Sequence, residues 1–230
     1  MMSKKKCCIL SAMMSATLAL TGCQNTEKKE AEMLAHMYEK YGVELQVEGF
    51  AETIHNDSYD RWYCTVIGES NLDEKEQINV NRWRNREENK FSDDYYPVVI
   101  RAEVESRVNK KLEEILVEYK MYVKSTGSYV DNKYSSLEQY EEYLEEIGND
   151  CADYVVKVIL HDCGSEAANE RLVQQVLIAL GEAKVGNPYM NVYCMTEDKY
   201  EQITRENVSD VERGDYTYRY GGELDNGINR

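Results

Sequence analysis

His161, Asp162 and Cys163 close an apolar run over residues 154–160 and bring an imidazole, a carboxylate and a thiol within three positions. If the run is a strand, alternation puts His161 and Cys163 on one face. A thiol beside a base is the requirement for nucleophilic catalysis, and catalytic groups gather at the carboxyl ends of strands in open α/β sheets. Against this, no flanking sequence of a cysteine-hydrolase family surrounds the pair, and the chain has only three histidines. A cysteine at a strand end is more often a small packing residue. His161 and Cys163 are therefore catalytic candidates with packing as the favoured reading, and the chain reads as a non-enzyme.

The other polar cluster, His55-Asn56-Asp57-Ser58-Tyr59-Asp60, offers oxygen ligands and one imidazole. It lacks the glycine and the terminal glutamate of a helix-loop-helix calcium loop, so it reads as a solvated turn and no metal site is expected. Phosphate-cradling glycine loops, His-Glu-x-x-His and Gly-x-Ser-x-Gly are all absent. The expectation is no cofactor. Cys64, Cys151, Cys163 and Cys194 allow three disulfide pairings or free thiols, and no Cys-x-x-Cys links any two of them.

The net charge is −16, with 43 acidic against 27 basic residues. Such a balance repels phosphate backbones and excludes nucleic acid as a partner. It suits cationic partners or divalent ions, and equally a solvated surface with no partner. The aromatic usage is lopsided, 19 Tyr against 2 Phe and 2 Trp. Tyrosine favours half-buried strand positions, and a cluster of them also suits a face for a sugar or a protein.

At the amino end, Lys4, Lys5 and Lys6 precede an apolar stretch, residues 7–20, followed by Leu20-Thr21-Gly22-Cys23. About 20 residues are needed to span a bilayer, so the run reads as an export signal rather than a permanent span. Leu20-Thr21-Gly22-Cys23 resembles the lipobox of bacterial lipoproteins. That resemblance implies cleavage between Gly22 and Cys23 and a thioether-linked diacylglycerol, a palmitate-type lipid, on Cys23. It further implies a cell-membrane, lipid-anchored location on the extracytoplasmic side. Two acyl chains hold a domain at a membrane durably where one does not. Loss of residues 1–22 removes three lysines and no acid, making the mature charge −19.

Stepping along the chain, residues 23–32 read as a lipidated tether. A helix is expected to end at Tyr41 before Gly42, followed by strands near residues 43–47, 61–68 and 77–84. Pro97 suits the first turn of a long helix striped by Ile100, Val104, Val108 and Leu112. The order helix, strands, helix, with Lys40-Tyr41-Gly42 at the first junction, resembles uncharacterised cell-surface lipoproteins of Gram-positive bacteria; the resemblance implies no activity. In the second half, residues 118–125 read as a strand. Ser135 with Glu138 reads as a capping box. Residues 154–160 read as a central strand covered on both faces. Ser165 is expected to cap a helix, residues 190–195 and 216–220 to be strands, and residues 198–206 a short helix.

The fold expectation is α+β in two small modules, residues 33–127 and an α/β sandwich over 128–220, with a flexible tail at 221–230. The functional expectation is a membrane-anchored extracytoplasmic interaction module of the cell envelope, partnered by another envelope or extracellular protein. A solute-binding lipoprotein of a transporter is the alternative, disfavoured because such proteins need two larger lobes around a cleft. A surface hydrolase using His161 and Cys163, or an unrecognised acidic pair, is the third reading.

Overall fold

The computed structural model describes residues 26–53, 59–66, 77–84, 86–87, 90–126, 133–148 and 153–224. The chain forms a mixed α+β fold that divides into two compact units, the division falling in the sequence between Asp93 and Asp94. The segment expected to be a signal, with Gly22 and Cys23, and His55 and Cys151 lie outside the described residues.

The first unit opens with a helix over residues 26–41 (α1). It starts inside the segment expected to be a tether, and the reason is electrostatic. Lys29 reaches the buried carboxylate of Asp60 at 3.0 Å, and Glu32 accepts from Lys90 at 2.9 Å, so this stretch is held against the sheet. Gly42 ends the helix with φ +71°, a conformation that glycine adopts without steric cost. Strands Leu45–Thr53 (β1), Tyr59–Val66 (β2), Ile78–Trp83 (β3) and Phe91–Asp93 (β4) follow as an antiparallel sheet A in the order β1-β2-β3-β4. β4, three residues long, has no counterpart in the sequence pattern. Alternation sends Trp62, Cys64, Ile78 and Val80 to one face, where they are buried together with Met33 and Met37 of α1.

The second unit begins with Tyr96–Glu113 (α2), which carries Pro97 in its first turn and buries Ile100, Val104, Val108 and Leu112, as the sequence implies. Its partners are strand Lys120–Ser125 (β5) and helix Glu166–Gly181 (α4), both within this unit. The border therefore precedes α2 instead of falling at residue 127, because the apolar stripe of α2 is buried within the second unit. After β5 a short helical segment starts with a capping box made by Ser136 and Gln139, one residue beyond the expected pair, and includes Tyr140–Tyr143 (α3). Strand Tyr154–His161 (β6), α4 and strand Tyr189–Met195 (β7) make a β-α-β crossover with β6 and β7 parallel. Sheet B is completed by strand Tyr218–Glu223 (β8), giving the order β5-β6-β7-β8.

β6 is central, as expected. Val156, Val158 and Leu160 are buried on one of its faces, and on the other Ile159 packs with Tyr193, Met195, Tyr200, Ile203 and Val208. Tyr200 comes from the short helix Glu197–Gln202 (α5). Within the segment expected to be a flexible tail, residues 221–223 continue β8 and Leu224 is buried with its N–H donating to Pro188 O at 3.1 Å, while residues 225–230 lie outside the described residues.

Candidate functional site

The two catalytic candidates follow one another at the end of β6 but acquire different neighbours. β6 ends at His161, and Asp162 opens a turn whose Gly164 has φ +79°. Asp162 Oδ1 accepts from Gly164 N–H at 3.1 Å and from Asn169 Nδ2 at 2.6 Å. Asn169 Oδ1 in return accepts the N–H of Cys163 at 2.7 Å. The turn thus lifts Cys163 out of the strand, and the alternation that would have paired it with His161 no longer applies. No hydrogen bond joins His161 to Cys163 among the described residues.

His161 instead lies over the ring of Tyr200, with centroids 3.8 Å apart. Its Nδ1 is 3.1 Å from Glu197 and its Nε2 is 3.6 Å from Glu118. Lys120 closes this corner by donating to the carbonyls of Tyr200 at 2.6 Å and Ile203 at 3.0 Å, at the carboxyl end of α5. Burial pushes the Tyr200 hydroxyl up to about 12, helped by Glu118 and Glu201. Cys163 is exposed, whereas Cys194 is buried on β7. Burial, with the neighbouring Cys163 and Asp162, pushes the Cys194 thiol up to about 12, away from the thiolate a nucleophile needs. The strand end therefore presents a histidine in an ionic corner and a separate exposed thiol. Among the described residues, no group of three or more His, Cys, Asp or Glu side chains is arranged to hold a metal ion.

Lys40-Tyr41-Gly42 has a structural use. Lys40 Nζ meets Asp93 Oδ2 at 2.9 Å and the Tyr41 hydroxyl donates to Asp93 Oδ1 at 2.7 Å, so the end of α1 is clamped to β4.

A feature outside the sequence candidates lies on the face of sheet A opposite α1. Pairing sets Arg61 beside Asn81, Tyr59 beside Trp83, and Tyr63 beside Asn79 and Gly49. Arg61 donates to Asn81 Oδ1 at 2.8 Å and to the Tyr59 hydroxyl at 3.0 Å, and its guanidinium lies 5.1 Å from the Tyr59 ring centroid. Tyr59 meets Trp83 at 5.0 Å, and Trp83 donates to Ser92 Oγ at 3.1 Å. Arg86 stacks on Trp83 at 4.5 Å. The signal in the sequence was the run Asn-Arg-Trp-Arg-Asn-Arg over residues 81–86, together with the spacing of Tyr59, Arg61 and Tyr63.

No family model matches the chain, and no curated protein matches it. Among solved structures, a DUF5037 family protein from Ruminococcus gnavus is similar, with a TM-score of 0.45 and 12% identity over 86% of this chain and 98% of that one.

Proposed function

We propose that this chain is a lipid-anchored extracytoplasmic interaction module of the cell envelope, held to the membrane through Cys23 and acting by binding another envelope or extracellular protein rather than by turnover. The observation that carries the reading is the sequence of the amino end, a lysine cap and a short apolar run placed before Leu-Thr-Gly-Cys. Two acyl chains on Cys23, at about 0.8 kcal/mol per buried methylene, suffice for durable attachment. No helix among the described residues is long and apolar enough to cross a membrane. The N–H of Cys163 is held by Asn169 while His161 lies over Tyr200 and beside Glu197, an arrangement that supports reading the chain as a binder.

The test is fractionation of cells carrying Cys23→Ala. The variant should leave the detergent-extractable membrane fraction or accumulate as an uncleaved precursor, and metabolic labelling with a palmitate analogue should be lost. Membrane retention and detergent partition identical to the unaltered protein would overturn the anchor.

A further inference from the structure

We propose that the face of sheet A carrying Tyr59, Arg61, Tyr63, Trp83 and Arg86 is the docking surface of this module, and that its partner is an acidic segment of another protein. The proposal rests on the reading that the chain works by binding, and adds where and to what chemistry.

Charge complementarity carries it. The chain has a net charge of −16, yet residues 81–86 hold three arginines. Two are engaged inward: Arg84 donates to buried Asp60 at 2.7 Å, and Arg82 reaches Glu32 at 3.3 Å and Asp60 at 3.8 Å. Arg86 differs. It is exposed, its contact is the Trp83 ring, and it forms no ion pair among the described residues. With its Cζ over the Trp83 ring, the Arg86 guanidinium keeps N–H groups that can take a carboxylate with two parallel hydrogen bonds. A basic, aromatic strip on an otherwise acidic chain selects an acidic ligand at short range, because charges farther than about 8 Å are screened at physiological salt.

The residue types and their fixation agree. Trp, Tyr and Arg dominate the energetics of protein interfaces. Here Arg61, Asn81, Tyr59, Trp83 and Ser92 are already tied to one another, so little side-chain freedom remains to be lost on docking. Tyr63 borders this array over Gly49, where an added Cβ would stand 3.5 Å from its ring, and its hydroxyl has no hydrogen-bond partner among the described residues. The strip thus offers an aromatic surface, a free phenol and a forked cation side by side.

The experiment uses the full-length chain in detergent micelles and fluorescently labelled poly(Glu,Tyr), read by anisotropy at physiological salt. Poly(Glu,Tyr) should bind, Arg86→Glu should weaken it by roughly tenfold or more, Arg86→Lys should weaken it far less, and Tyr63→Ala should weaken it several-fold. Arg86→Glu should leave the thermal midpoint nearly unchanged, since Arg86 is exposed and forms no ion pair among the described residues, so a binding loss there is not a folding loss. Absence of binding, or equal binding by the wild-type chain and Arg86→Glu, overturns the proposal. Polygalacturonate binding as tightly as poly(Glu,Tyr) also overturns it, in favour of an acidic saccharide. Each result is independent of the Cys23→Ala fractionation: a chain that is anchored but indifferent to Arg86→Glu sinks the docking surface alone.

Discussion

The Tyr41 hydroxyl donates to Asp93 Oδ1 at 2.7 Å across 52 positions of sequence. Asp93 is fully buried, and the Lys40 ammonium on its other oxygen is nearly so, with side-chain exposures of 0% and 8%. Removing one partner of a buried pair strands the other charge, which costs about 3–5 kcal/mol, whereas removing a single neutral hydrogen bond costs about 1 kcal/mol. Asp93→Ala should therefore lower stability by about 3 kcal/mol or more and Tyr41→Phe by about 1 kcal/mol in urea denaturation. Equal, small losses for the two variants would mean the clamp is not the element that joins α1 to β4.

Asp60 gives the first unit an acid limit. Burial alone would raise its carboxyl, but hydrogen bonds from Arg84 and Lys29 outweigh that and hold it below the usual carboxylate range. An unfolded aspartate titrates near about 3.9, so the folded chain binds fewer protons between the two values. The stabilisation is thus complete above the unfolded value and fades as pH falls through the folded one. Asp60→Asn should destabilise the chain at pH 7, and the gap between the variant and the unaltered protein should shrink steadily below about pH 4. Denaturation midpoints measured across the acid range check this; a gap that widens towards acid would reverse the sign.

The cysteines should separate by reactivity. Cys163 is exposed, while Cys64 and Cys194 are buried and Cys194 is pushed up to about 12. Iodoacetamide on the native, reduced protein should modify Cys163 and spare Cys64 and Cys194 until denaturant is added, as peptide mass spectrometry would show. Native modification of Cys194 at a rate close to that of Cys163 would mean that β7 opens readily.

The parts of this fold that the sequence reveals are those where one residue type has one use. Pro97 and the stripe from Ile100 to Leu112 specify α2, Ser165 caps α4 by accepting from Ala168, and the apolar run of β6 announces a central strand. Legibility fails where neighbours compete or an element is too small for a period to show. Ser135 and Ser136 both qualify as caps, and only the backbone chooses Ser136. Phe91–Asp93 is too short for alternation to register. The stripe of α2 shows that it is buried but not which sheet receives it, so the border at Asp93 stayed hidden. His161 and Cys163 illustrate the same limit: their spacing assumes a strand that continues, and β6 ends at His161, two residues short of Cys163. The basic strip of sheet A emerges only when β2 and β3 lie side by side, because Arg61 and Asn81 are 20 residues apart.

The order of strands in sheet B sets the order in which it can be assembled. β7 pairs with β6 on one side and with β8 on the other, and β8 supplies nearly the last of the described residues. A chain emerging from its amino end can close the antiparallel meander of sheet A from short-range pairings while β7 still shows a bare hydrogen-bonding edge. That edge is a template for other chains until Tyr218–Glu223 arrives. Truncation within β8 would therefore show itself first as aggregation during synthesis, before any loss of a binding surface could be measured.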